Sequence, residues 1–304
     1  MSITKIEDNL YLVDVETAGI KNFIASYILK GEKFAIIETG PTSSVLNIIY
    51  GLKELNVKPE EIAYVAVSHI HLDHGGGVGT LLKHLPKAEV IVHKKGAQHL
   101  ANPEKLWQQS IDILGPIADI YGKPEPVPKE RIIAAEDGMK FNIGANVELE
   151  AIETVGHASH HLCYQLRPNQ GIFVGDAAGV YLSEVDAIVP TTPPPFRLDL
   201  ALSSLDKLIN LKPKALYYGH FGKASNAIER LQAYAKQLKL WADLAKQGIK
   251  NKESVDAIRN RIIAGDESLK EALKFIEEHP ILRETTLRES VYGIIDYVSK
   301  QGVS

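Results

Sequence analysis

The apolar pattern opens on alternation. Residues 3–15 and 23–29 alternate or run apolar between turn formers such as Asn9, Gly19 and Gly31, which predicts two antiparallel strands at the start of a sheet. Four later β-rich runs each break into a short polar or glycine-containing segment. They are 34–37 into Glu38-Thr39-Gly40, 62–67 into Ser68-His69-Ile70-His71-Leu72-Asp73-His74-Gly75, 171–174 into Gly175-Asp176, and 215–218 into Gly219-His220-Phe221-Gly222. Helical periodicity lies between them at 43–55, 77–85 and 198–211, the last with Leu198, Leu202, Leu205 and Leu208 on one face. Alternating strands and helices predict an α/β domain. In such domains chemistry sits in loops just past strand ends, and each of these four loops carries a histidine or a carboxylate.

The texture changes along the chain. From 223 to 304 it is almost unbroken helix, with Ile228, Leu231, Leu238 and Trp241 on one stripe. A catalytic domain over 1–222 with a helical C-terminal region over 223–304 is therefore expected. Within the first, 97–130 mixes an amphipathic helix (Leu106, Trp107, Ile111, Leu114) with Pro116, Pro124, Pro126 and Pro128, and reads as a lid-like insertion. Residues 189–196 form a stiff, proline-rich extended stretch.

Composition narrows the classes. With 304 residues, 45% hydrophobic and 24% charged, the chain is an ordinary globular one. A net charge of -4 supplies no basic field for a phosphate backbone, so no nucleic acid is expected as partner. No apolar run approaches the roughly 18 to 20 residues of a membrane span, so no membrane is expected either. Cys163 is the single cysteine and forms no internal disulfide, and the N-terminal residues lack a signal-peptide pattern, which points to the cytoplasm. A small-molecule substrate is the expected partner, with a homodimer left open. The outlying number is eleven histidines.

Their placement carries the chemistry. His69, His71, Asp73 and His74 crowd three imidazoles and a carboxylate into six residues at a strand-to-helix turn followed by Gly75-Gly76-Gly77. That donor set suits zinc, with iron or manganese as alternatives, and the lack of thiolate argues against a closed structural zinc site. Alternation sends His69 and His71 to one side, and the following turn can aim Asp73 and His74 at a second position, so the spacing has room for two divalent ions. Further donors stand at His157, Asp176 and His220.

The His-x-His-x-Asp-His element, the later Gly156-His157, Gly175-Asp176 and Gly219-His220 resemble the metallo-β-lactamase superfamily, most closely its glyoxalase II-like hydrolases, over roughly 1–222. The resemblance implies an α/β fold, a four-layer αβ/βα sandwich with the metals in a cleft between two sheets. It also implies that His69, His71 and His157 hold one ion, that Asp73, His74 and His220 hold the other, and that Asp176 bridges them. Two cations sharing a water lower its pKa towards neutrality and polarise a substrate carbonyl, which is the chemistry of ester-type hydrolysis. Asp73 could also orient that water and so act as the catalytic carboxylate.

Some positions depart from the family. Glu38 stands where an aspartate is common and is expected to support a ligand histidine; His161, the second histidine of the Gly-His segment, is given the same supporting role. His160 replaces a common glycine and is read as a neighbour. His84, His93, His99 and His279 are read as surface or structural, and Cys163 as a buried, inert thiol. Tyr181, Phe196 and Phe221 are weak candidates for substrate contact. No clear match to the basic glutathione-binding residues is present. The leading expectation is a dinuclear metal-dependent hydrolase of a carboxylic ester, thioester or lactone. An iron-dependent persulfide dioxygenase is the alternative, and a metal-dependent ribonuclease ranks third.

Overall fold

A computed structural model describes residues 2–301. The first sheet contains β1 (Ser2–Glu7), β2 (Leu10–Asp14), β3 (Ala25–Lys30), β4 (Phe34–Ile37), β5 (Ile62–Ala66), β6 (Glu89–His93) and β7 (Ile132–Ala135), side by side in chain order. β1 to β4 pair antiparallel through short connections, whereas β4 to β7 pair parallel. A parallel pair needs a crossover long enough to return the chain, and helices fill these connections. Val45–Glu54 joins β4 to β5, Leu72–Gly75 and Val78–Leu82 join β5 to β6, and Lys94–Ala101, Glu104–Leu114 and Pro116–Tyr121 join β6 to β7.

One expectation is revised. The stretch 3–15 is not one strand but two, because Asp8-Asn9 turns the chain back on itself, so three strands open the fold. The segment 97–130 belongs to the β6–β7 crossover, and Leu100, Leu106, Ile117, Ala118, Tyr121 and Val127 within it are buried.

The second sheet is built from β8 (Lys140–Gly144), β9 (Val147–Glu153), β10 (Leu162–Arg167) and β11 (Gly171–Gly175). The chain then makes a ribbon of β12 (Val180–Leu182) and β13 (Ala187–Val189) before β14 (Ala215–Tyr218) and β15 (Gly222–Ala224) complete the sheet in the order β15-β14-β11-β10-β9-β8. Only β11 and β14 pair parallel. The two sheets pack face to face, and period-2 geometry chooses which residues meet. Ala25, Tyr27 and Leu29 of β3 share one core with Leu149 and Ala151 of β9, Leu162, Tyr164 and Leu166 of β10, and Tyr217 of β14.

Two phenols in this core tie the sheets reciprocally. Tyr27 on β3 donates to the carbonyl of Tyr218, one residue before Gly219-His220, at 2.6 Å. Tyr164 on β10 donates to the carbonyl of Val67, one residue before Ser68-His69, at 2.8 Å. Burial first, and then the Glu38 carboxylate, holds both phenols well above their ordinary pKa, so they remain neutral donors. Tyr164→Phe is expected to lower the unfolding free energy by about 1–3 kcal/mol, the cost of stranding a buried carbonyl. Urea denaturation checks this, and an unchanged midpoint refutes it.

The chain divides into two compact units. One is Met1–Glu153, His160–Gly175 and Ala215–Ser225, and holds both large sheets; the other is Thr154–Ser159, Asp176–Lys214 and Asn226–Ser304. Compactness thus does not follow a single cut near 222. The excursion between β11 and β14 carries helix Leu198–Asn210, which packs on helix Ala227–Lys250 and so groups with the C-terminal helices. In that unit Ser204 Oγ donates to the carbonyl of Val155 at 2.7 Å, anchoring Thr154–Ser159 on the same helix. Buried Asp266 accepts from Trp241 Nε1 at 2.7 Å and from Gln237 Nε2 at 2.8 Å, joining the loop after helix Val255–Gly265 to helix Ala227–Lys250.

Candidate metal centre

In the two-sheet unit the centre is built where β5 ends. The chain runs on through Ser68, His69 and His71 and then closes into one helical turn, with the amides of His74 and Gly75 bonded to the carbonyl of His71 at 3.1 and 2.9 Å. His69 and His74 are fully buried, while His71 and Asp73 are half-buried. His69 Nε2 lies 2.9 Å from His71 Nδ1, and His69 Nδ1 lies 2.9 Å from Ser68 Oγ. The rings of His69 and His74 are 4.3 Å apart.

His220 arrives from the second sheet, just past β14. Its Nδ1 bonds the carbonyl of Phe23 at 2.9 Å. A carbonyl only accepts, so Nδ1 carries a hydrogen, and in the neutral ring Nε2 then keeps the lone pair a metal ligand needs. That Nε2 lies 3.4 Å from Asp73 Oδ2, and the ligand atoms of Asp73, His74 and His220 all fall within 4.8 Å of one another. The close approach requires glycine at 219: a Cβ there would stand 2.7 Å from His74 Cε1.

Glu38 holds this cluster from behind. It is buried and sits at φ +63°, a left-handed conformation that costs a non-glycine residue on the order of 1–2 kcal/mol. The strain is offset locally. Its amide bonds the carbonyl of Ala66 at 2.9 Å, its carbonyl accepts from Ser26 Oγ at 2.7 Å, and Oε1 accepts from the Ser68 amide at 3.2 Å. Oε2 faces His74 Nδ1 at 3.5 Å. His161 packs its ring 5.1 Å from that of His69, and His160 stacks 6.3 Å from His69 and edge-on to His71 at 5.8 Å.

The other unit holds His157 and Asp176, both buried. His157 Nδ1 donates to the carbonyl of Thr191 at 2.9 Å, and His157 Nε2 lies 3.4 Å from Asp176 Oδ2. The structure thus brings His69, His71, Asp73, His74 and His220 together in one unit, with Glu38 and His161 behind them, and pairs His157 with Asp176 in the other.

The donor chemistry fits a divalent ion. Nitrogen and oxygen donors bind zinc at about 2.0–2.2 Å, so two donors on a tetrahedral ion stand roughly 3.4 Å apart. Both the Asp73–His220 and His157–Asp176 separations have that value. Cys163 adds no thiolate: it is buried on β10 with Sγ 3.5 Å from the carbonyl of Val174.

The remaining candidates have the following surroundings. Tyr181 donates to Asp186 at 2.8 Å under the Arg230 guanidinium, and its pKa is pushed up to about 12 by burial and that bond. Phe196 is buried with its ring 6.4 Å from that of Tyr297, and Phe221 packs against the core between the sheets. His93 is a satisfied buried histidine, with Nε2 2.7 Å from Glu153 and Nδ1 accepting from the Lys95 amide. His279 Nδ1 accepts from the amides of Ile281 and Leu282, His84 is exposed and His99 half-buried. Ser68, Tyr27, Tyr164 and Thr191 were not legible as site residues, because a serine, a strand tyrosine or a backbone carbonyl has no distinguishing pattern.

Fold and site together define an α/β sandwich protein with a histidine and aspartate metal centre at its strand ends. The chain belongs to the metallo-beta-lactamase superfamily, which it matches over residues 21–220. It is 28% identical over 242 residues to the metallo-beta-lactamase fold-containing protein ST1585 of Sulfurisphaera tokodaii, covering 78% of this chain and 85% of that protein. The crystal structure of ST1585 superposes with a TM-score of 0.66 at 27% identity, over 76% of this chain and 86% of that one. The fold of the metallo-beta-lactamase family protein TTHA1429 from Thermus thermophilus is similar over 98% of this chain and 95% of that one, with a TM-score of 0.70 at 18% identity. A thioesterase of Emericella nidulans, pkgB, is 25% identical over 259 residues, 80% of this chain; the chain spans 62% of that protein's length.

Proposed function

We propose that the protein is a glyoxalase II-like hydrolase with a dinuclear metal centre that cleaves a carboxylic ester, thioester or lactone. In this reading His69, His71 and His157 would hold one ion and Asp73, His74 and His220 the other, with the Asp176 carboxylate as a further ligand. The observation that carries it is the convergence of Asp73, His74 and His220, with the His220 tautomer set by Phe23 and a 3.4 Å edge to Asp73. Chain continuity supports adding the other two donors: Asp176 directly follows the last residue of β11, and His157 stands four residues before His161.

Two divalent ions, zinc foremost and iron or manganese as alternatives, would supply an acidified water and polarise the scissile carbonyl. The chain's own groups do the rest. Half-buried Asp73 accepts a hydrogen bond from the attacking water and orients it. Buried His69 and His74 exclude bulk water from the inner side, and Glu38 holds His74 in register with the Ser68 amide. Similarity to a protein named as a thioesterase supports an acyl thioester among the substrates. No helix among the described residues is long and apolar enough to cross a membrane, and a lone cysteine that needs no oxidising compartment supports a cytoplasmic location.

Elemental analysis of protein purified without added metal tests the proposal. We expect about two ions per chain, with hydrolysis of short acyl thioesters or lactones abolished by chelation and restored by zinc. Fewer than about one ion per chain overturns it. A single iron with oxygen uptake on a persulfide selects the dioxygenase, and salt-dependent RNA affinity with cleavage selects the ribonuclease.

A further inference from the structure

We infer that the C-terminal helices position His157, by gripping the peptide whose carbonyl sets its tautomer. The inference rests on the proposed role of His157 as a metal ligand, but its geometry lies wholly within one compact unit.

The chain of contacts begins at His157 Nδ1, which donates to the Thr191 carbonyl at 2.9 Å; in the neutral ring this puts the lone pair on Nε2, 3.4 Å from Asp176 Oδ2. Thr191 sits in the proline-rich stretch, flanked by Pro190 and by Pro193-Pro194-Pro195. Such a segment has no helix or ladder of its own to satisfy its backbone, so other elements must do so. Two helices supply the partners. The Thr191 amide faces the phenol oxygen of Tyr234, a buried residue of helix Ala227–Lys250. Burial holds that phenol above its ordinary pKa, so it remains neutral.

Ser290, buried in the middle of helix Leu282–Lys300, grips the residues on either side of Thr191. Its Oγ donates to the carbonyl of Pro190 at 2.8 Å and accepts from the amide of Thr192 at 3.3 Å, while its own carbonyl accepts from Thr192 Oγ1 at 2.7 Å. One turn later Gly293 lets the helix backbone lie directly on the loop, since a Cβ there would collide with the Thr192 carbonyl. Three consecutive residues are thereby held by helices that follow them by dozens of positions. The Thr191 carbonyl has little freedom to swing away from His157. Ser290 is a positioning residue that acts through this stretch of backbone, whereas Tyr234 also lies within electrostatic reach of the Asp176 carboxylate.

The test uses the full chain, first without metal. Nitrogen-15 spectra of labelled histidine report which His157 nitrogen carries the proton. In the wild type we expect a single Nδ1–H tautomer; in Ser290→Ala and in Tyr234→Phe we expect a mixture, with Ser290→Thr restoring the single form. With zinc added, chelator competition should show one ion held about tenfold more weakly in both variants and the other unchanged. A lowered unfolding midpoint with an unaltered tautomer and unaltered zinc affinity overturns the inference, since that is what a purely structural role produces. Equal weakening of both ions overturns it as well. If Ser290→Ala does not fold, the His157 tautomer in Tyr234→Phe decides, because zinc affinity in that variant also reflects the phenol's effect on Asp176. Should the wild type bind no metal, the proposed function fails, while the tautomer measurement still decides whether the helices set His157.

Discussion

Asp73→Asn should lower kcat for ester or thioester hydrolysis by roughly 10³-fold while leaving the fold intact. The side chain is partly open to solvent on a single helical turn, so the isosteric amide disturbs no core packing. What it removes is charge. Asp73 Oδ2 is the anionic member of the trio with His74 and His220, and a neutral amide oxygen is a weak donor beside two imidazoles. It also loses the acceptor strength that would orient an attacking water. Elemental analysis should find about one ion per chain instead of about two. A variant within tenfold of wild-type kcat and with full metal content would remove Asp73 from both roles.

Glu38→Gln should weaken metal binding by about 10- to 100-fold, the usual effect of altering the group behind a ligand histidine. The carboxylate acts at two places. Oε1 accepts the Ser68 amide next to His69, and Oε2 faces His74 Nδ1. An amide side chain can offer an acceptor to only one of these positions and turns its NH₂ towards the other. Glu38→Asp should also weaken binding, because an arm one methylene shorter does not span both contacts from a backbone held at φ +63°. Competition with a chelator measures the affinity, and urea denaturation shows whether the core survives. Unchanged affinity in both variants would leave Glu38 only a structural group.

Glu38 also shows how far the local pattern reaches. The strand-end position after an apolar run was legible, and so was its likeness to a position where an aspartate is common. That the longer side chain would touch the loop after β5 was not, because β4 and β5 become neighbours only through the crossover helix Val45–Glu54. The same holds for 97–130. Its helices and prolines were readable, but its place as the connection between two parallel strands depends on which strands pair. Residues 3–15 failed for a smaller reason: a two-residue turn at Asp8-Asn9 interrupts the alternation too briefly to be seen as the end of one strand and the start of another.

What the sequence by itself determined was the chemistry and its placement: four β-rich runs each ending in histidine or carboxylate, a donor set with no thiolate, and a helical tail. These are local properties, since periodicity, turn formers and ligand type all act within a few residues. Only the tertiary structure decided what holds the donors still. Tyr27 and Tyr164 tie strand ends across the sandwich, the Phe23 carbonyl binds His220 Nδ1, and Ser290 grips the loop behind His157. Most of those partners are backbone carbonyls, which every residue carries and no sequence pattern marks. Their positions follow from burial, which requires each polar group taken from water to find a partner wherever the packed chain has brought one.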